Sequence, residues 1–448
     1  MRSPVQRRVK RTPCLRISLE GTGRRWLSSV LLLLAVTMFS FEVGKLWLAS
    51  AFAHTSDAGA WRRAAQLEPG NAEYWHRLGQ SEEWDFEWGR LQQAVTYYEK
   101  ATEVNPHSAA YWMDLGSSSE TLGEIGRARK AFERARASQP GSPQVAWRYG
   151  NFLLRQQEVS QAFAEIRRAV ASDPNLTSSA IAECWKAELS VDRLLNEVLP
   201  PHGPSYFLAL DYFVDQKQPD AALAVWNRVL GLKQPLGLSQ VAPLVDELVL
   251  QDRFEDALQV WRQALVAAGR EKDKDAHGSS SLVFNGGFEH PPVNGGFDWR
   301  QSVIAGASLA FDTAVFHSGS RSLRITFDGS RNPDFSHFLQ WVPVRPLHHY
   351  RFAAYLRTEE ISTDSGVRFL LSDLGRPAAL QVLTPDLVGT HSWTRIEQAL
   401  VTTAETDVLV IMLRRTPTWK FDDRLGGSVW VDDVSLDPVV DPQKDSPQ

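Results

Sequence analysis

Two carboxylates of this chain stand in the same short setting. The stretch LVFNGGFEHPPVNGGFDW (282–299) spells Asn-Gly-Gly-Phe-acid twice, first with Glu289 and then with Asp298. Glycine pairs beside a ring and a carboxylate suit three tasks: cradling a ligand, holding a metal, or turning the chain. A third acidic setting is VWVDDVSL (429–436). Strand alternation there puts Trp430, Asp432, Val434 and Leu436 on one face. If that face is the core, Asp432 points inward, where an unpaired carboxylate is expensive. A cation would satisfy it, as would an arginine. A bulge that turns Asp432 outward would remove the need.

Rings offer a second chemistry, because an exposed aromatic face beside planar polar groups can stack on a sugar. The chain carries 16 Trp. The candidates are Trp419, Trp299, Tyr355, Arg357 and Arg351, with Trp341 and Trp393 reading equally as core. Trp419 stands apart, since RRTPTWKFDDR has no alternation and reads as a loop. Catalytic signatures are missing: there is no G-x-S-x-G, phosphate loop, HExxH or CxxC. A polysaccharide-cleaving enzyme would need two carboxylates converging in one cleft, and it stands as an alternative.

What must position these residues changes character along the chain. From about 282 onward apolar residues recur with period 2, as in RSLRITF, HYRFAAYLR and DVLVIMLRR, bounded by Gly, Pro and Asp turns. Nine or so short strands over 282–437 predict an all-β antiparallel sandwich, with a disordered tail over 438–448. GREKDKDAHGSSS opens as charged and ends small and polar, which predicts a linker over 271–281.

Before that linker the chain repeats. Pro106, Pro140 and Pro174 are 34 apart, as are Ala94, Ala128 and Ala162. Gly79, Gly116 and Gly150 follow at 37 and 34. With W-x-x-L-G at Trp75 and Trp112 and A-x-x-x-F/Y-x-x-A at Ala94 and Ala128, residues 57–270 resemble tetratricopeptide repeats, clear to 174 and degenerate after. Ala222/Trp226 and Ala257/Trp261 continue the pattern. The resemblance implies an all-α solenoid whose first helices line a groove for a protein or peptide. His76, Arg77, Gln80, Asp114, Arg148, Asn151 and Arg155 are the positions expected there.

The first 25 residues hold eight basic side chains against Glu20, which is +7, so the remainder of this net −5 chain carries −12. That balance argues against nucleic acid as a partner of the folded part. WLSSVLLLLAVTMFSF and the following EVGKLWLASAFA predict a transmembrane anchor over 26–53, with Glu42 and Lys45 one turn apart. The basic tail 1–25 places the N-terminus in the cytoplasm and the bulk outside the inner membrane. Cleavage near Ala53, which would secrete the chain, is the rival reading.

The order of LVFNGGFE, HSGSRSLRITFDG, YRFAAYLRT and a final VWVDDVSL resembles carbohydrate-binding modules of the galactose-binding-like jelly-roll type. That resemblance implies a structural calcium on Glu289, Asp432 and the Ser318 backbone, and no other cofactor. The combined expectation is a non-catalytic, membrane-anchored envelope scaffold. Its repeats bind a protein and its sandwich holds a polysaccharide, in the assembly or export of a surface polymer. A sandwich that binds protein without sugar affinity is the alternative within the same architecture.

Overall fold

The computed structural model describes residues 21–54, 57–83, 88–270 and 281–439. The basic tail before 21, most of the linker (271–280) and the tail from 440 lie outside the described residues. The chain forms two compact units, Met1–Ser172 and Asp173–Gln448.

In the first unit, α1 (Thr22–Ala53) is followed by α2 (Ala58–Leu67) and three helical hairpins. These are α3 (Ala72–Glu83) with α4 (Trp88–Val104), α5 (Ala109–Thr121) with α6 (Ile125–Ser138), and α7 (Pro143–Arg155) with α8 (Val159–Ser172). The repeated residues explain the hairpins. A Cβ on Gly79 would sit 2.6 Å from the Tyr98 ring, one on Gly116 2.9 Å from Phe132, and one on Gly150 2.6 Å from Ile166. Glycine thus lets each second helix approach, and a large residue 34 on from its counterpart fills the gap. The Trp75 indole donates to the Pro69 carbonyl (2.9 Å) and the Trp112 indole to Pro106 (2.8 Å), so tryptophan seals the preceding turn. In the third repeat Arg168 donates to the Pro140 carbonyl instead.

Helix α1 is apolar and almost wholly exposed until its last turns. There Ala49 is fully buried in a cluster with Ala64, Ala65 and Tyr74, against which Phe52, Ala53 and Trp61 pack. The end of α1 therefore serves as the first helix that α2 needs. Glu42 and Lys45 pair at 3.0 Å.

The second unit begins with α9 (Thr177–Ala187), then α10 (Val191–Arg193), which runs into a π-helical turn, Leu194–Val198. Helices α11 (Gly203–Asp215), α12 (Pro219–Gly231), α13 (Ala242–Leu250) and α14 (Phe254–Ala267) follow. Trp226 and Trp261 are buried where the degenerate repeat pattern puts them. The Trp226 indole donates to Gln263 at 2.8 Å.

Ten strands then form two five-stranded sheets, β1-β4-β9-β6-β7 and β2-β3-β10-β5-β8, with antiparallel pairings throughout. Their spans are β1 Trp299–Gln301, β2 Ala307–Asp312, β3 Ser322–Asp328, β4 Phe335–Pro343 and β5 His349–Ile361. They continue as β6 Arg368–Asp373, β7 Gln381–Leu383, β8 Gly389–Val401, β9 Val408–Arg415 and β10 Gly426–Pro438. Inward residues such as Phe338, Phe352, Leu413 and Val431 make one core between the sheets.

One expectation is corrected here. Trp430, Asp432, Val434 and Leu436 do not share a face. A bulge between Asp432 and Ser435, with Asp433 at φ 48°, shifts the phase of β10. Val429, Val431, Val434 and Leu436 point into the core, while Trp430 and Asp432 lie on the opposite side. The first Asn-Gly-Gly turn seats against this bulge: Val434 N–H donates to the Gly286 carbonyl, and a Cβ on Gly286 would meet the Val434 carbonyl at 2.0 Å.

Candidate functional site

Of the residues expected along the repeat groove, His76, Asp114 and Arg148 engage one another, while Arg77, Arg155 and Asn151 bond to groups outside that set. His76 contacts Asp114 at 2.8 Å, and Arg148 from the next repeat donates to the other Asp114 oxygen at 2.7 Å. Burial raises the Asp114 carboxyl, yet these two hydrogen bonds outweigh it and hold the group below its ordinary value. Arg77 pairs with Glu73, whose second oxygen accepts from Tyr111. Burial and that bond push the Tyr111 hydroxyl up to about 12. Arg155 grips Glu120 with two bonds of 2.7 Å, a fork that fits a carboxylate. Asn151 donates to the Trp147 carbonyl one turn back, and Gln80 is half-buried. The first helices thus carry a ladder of ion pairs across successive repeats.

In the sandwich the five sugar-stacking candidates do not form one platform. Trp299 is wholly buried: it stacks on Phe338 at 4.9 Å and donates its indole N–H to the Asn285 carbonyl. It is a core residue, because Asp298 and the turn before it aim β1 inward, and that candidacy is withdrawn. Arg351, Tyr355 and Arg357 share the outer face of β5. Arg357 and Arg324 flank the Trp430 ring at 5.4 and 5.1 Å, and Tyr355 is covered by the His317 ring at 3.6 Å. Of these three, Arg351 is the exposed one, and among the described residues no ring stacks on it.

Trp419 is different. It projects fully into solvent at 101% exposure, and Phe421, two residues on, does the same at 105%. The loop that bears them is held at its base. Thr418 N–H donates to Asn332 (3.2 Å), Asn332 donates back to the Thr418 carbonyl (2.9 Å), and Lys420 pairs with Asp364 (2.8 Å). Beneath lies Arg415, fully buried, donating to the carbonyls of Pro333 (2.7 Å) and Ser365 (3.3 Å) and to the Asn332 and Thr363 side chains. One guanidinium therefore ties the 332–333 and 363–365 loops together, Asn332 in turn gripping Thr418, and burial lowers the arginine's pKa. Sequence reasoning missed Phe421 and Arg415. The alternation Leu409, Ile411, Leu413, Arg415 does point the arginine inward, so the signal was present.

Glu289 and Asp432 both reach the 317–320 loop, each with its own donors. Asp432 is fully buried and accepts backbone N–H bonds from His317 (2.8 Å), Ser318 (3.1 Å) and Asp433 (2.8 Å). Burial, then the Asp433 charge, pushes its carboxyl up to about 6. Glu289 accepts from the Ser320 N–H (2.9 Å) and hydroxyl. Burial raises its carboxyl, but these bonds and Arg321 outweigh it and leave it below the usual range. Asp433 takes the His317 ring (2.6 Å) and the Ser318 hydroxyl (2.7 Å). These donors fill most of the acceptor positions that a cation would use. Among the described residues, no group of three or more His, Cys, Asp or Glu stands ready to hold an ion. The arrangement as built does not fit calcium.

The tetratricopeptide repeat family model matches residues 87–143 and 120–176. These hairpins are tetratricopeptide repeats. No curated protein matches the chain in sequence. Among solved structures, tetratricopeptide-repeat neighbours include YrrB, described as having an unusual peptide-binding site, at 15% identity and TM-score 0.26, covering 48% of this chain and 94% of that one. MamA matches at 16% identity and TM-score 0.26, covering 39% and 85%. A CBM4 carbohydrate-binding module matches at 16% identity and TM-score 0.27, covering 35% of this chain and 99% of its own. Likeness at this distance concerns backbone shape alone, and the tetratricopeptide array and the sandwich take their chemistry from the residues above.

Proposed function

We propose that the chain is a non-catalytic, membrane-anchored scaffold whose tetratricopeptide array binds a protein and whose sandwich holds a glycan at the Trp419–Phe421 loop. The observation that carries the glycan reading is the pair of fully exposed rings on a loop gripped at its base by Asn332, which the buried Arg415 holds in turn. Rigid exposed aromatics give stacking area at small entropic cost. Asn332, Asp364, Asp422 and Asp423 supply hydrogen-bonding groups near the rings and no excess of positive charge. That favours a neutral or weakly polar polymer over an acidic one. On this reading the protein serves the assembly or export of a surface polysaccharide.

The anchor reading draws on α1. At 32 residues the helix is about 48 Å long, against roughly 30 Å of hydrocarbon. The first part suffices to span the membrane, and the last turns are packed on α2 and Tyr74. A cut at Ala53 would strip α2 of that partner, which favours a retained, single-pass anchor in the inner membrane with the bulk outside. A mature chain starting after Ala53 would contradict this.

A second reading has its own observation. Leu339, Met412, Leu370 and Leu383 line up across β4, β9, β6 and β7 on one outer face, which suits a protein partner rather than a sugar. Pull-down on immobilised neutral polysaccharides separates the two. The glycan reading expects retention that Trp419→Ala abolishes. Failure of the wild type to bind any polymer favours the protein reading.

A further inference from the structure

The second Asn-Gly-Gly-Phe meets helices. The Gly296 N–H donates to Asp246 on α13 at 2.8 Å, and Arg300 of β1 forms an ion pair with the same carboxylate. A Cβ on Gly295 would lie 3.0 Å from the Ala242 methyl, and one on Gly296 2.5 Å from the Trp261 ring of α14. Gly296 also has φ +60°, which disfavours any other residue. Trp261, 2% exposed, meets Phe284 and Phe297 edge-on at 5.6 and 6.2 Å. The Arg300 guanidinium then spreads over Trp341 at 3.8 Å, and Arg270 lies over Phe284. Gly295, Gly296, Phe284, Phe297 and a buried tryptophan thus serve one contact surface.

Helical arrays leave an apolar face open at each end, which must be covered for the array to stay soluble. We propose that the β-sandwich is the C-terminal cap of the helices in the second unit. Hairpin α13–α14 and the sandwich form one body, joined by Asp246, Gly296, Arg300 and Trp261 and not merely by the chain that connects them. The Asn-Gly-Gly-Phe doubling has a physical sense on this view. One copy fastens the β10 bulge, and the other fastens the helices. The inference is independent of whether the sandwich binds sugar.

The test places a protease site between Arg270 and Ser281 of the full chain, purified in detergent. After cutting, the two pieces are expected to co-elute at micromolar concentration, and cut Asp246→Ala or Gly296→Ala chains to separate. Wild-type pieces that separate while each keeps its circular dichroism would overturn the proposal. Hydrogen exchange on the uncut wild type needs no variant to fold. The Gly296 amide should be strongly protected, and exchange at the rate of an open turn would equally overturn it.

Discussion

Asp298 should make the second unit less stable as pH rises from acid to neutral. Its carboxylate is wholly inaccessible, accepting N–H bonds from Trp299 (2.7 Å) and Val293 (3.0 Å). Burial nevertheless dominates and raises its pKa from 3.8 to about 6, against smaller lowering contributions from those bonds, Arg270 and Asn285. Below the unfolded value both states are protonated, and nothing is lost. Above it the unfolded chain ionises first, so stability falls through the window from about 4 to about 6. A shift of roughly two units corresponds to about 3 kcal/mol at ~1.4 kcal/mol per unit. The assay is urea unfolding of residues 173–448 at several pH values, for wild type and Asp298→Asn. The variant carries a constant penalty, because its amide cannot accept both N–H bonds. The difference between the two curves should therefore move by about 3 kcal/mol across the window, with the wild type losing ground as pH rises. Parallel curves would refute the reasoning.

Other expectations follow from contacts already described. Gly79→Ala and Gly116→Ala drive a methyl into Tyr98 and Phe132, and each should cost about 1–3 kcal/mol in thermal or urea unfolding. Arg415→Met leaves the Pro333 and Ser365 carbonyls without a donor, so a loss of at least about 2 kcal/mol is expected. Glycan retention should weaken in the same variant, although Arg415 touches no solvent. Because backbone N–H groups satisfy Asp432 and Glu289, a chelator should leave the melting temperature unchanged. A drop of several degrees with EDTA, restored by calcium, would show that those carboxylates hold an ion after all.

The repeat register was legible because each element answers to its neighbour. Proline ends the second helix, glycine admits a ring 16 to 19 residues on, and tryptophan caps the preceding turn. The strands were legible through alternation, and Trp226 and Trp261 through their alanine four residues before. What escaped reading depends on residues far apart in the chain. Asp432 needed the Asp433 bulge and the 317–318 loop, more than a hundred residues earlier. Trp299 looked like a platform until β1 was seen to run along β4 with its ring in the core. Pairing across 34 to 38 positions, as in Arg148–Asp114 and His76–Asp114, was hidden by reading each repeat alone. The glycine pairs serve turns, one of the three tasks their setting allowed. Their partners, β10 for one and α13–α14 for the other, were invisible locally.

The central claim is that the Trp419–Phe421 loop binds a neutral glycan. The direct measurement is calorimetric titration of the full chain in detergent with soluble oligosaccharides of several neutral polymers, repeated with Trp419→Ala/Phe421→Ala. The account predicts saturable binding to at least one of them, weakened tenfold or more in the double variant, about 1.4 kcal/mol or greater. No heat at millimolar sugar for any polymer, or equal binding by both proteins, would contradict it.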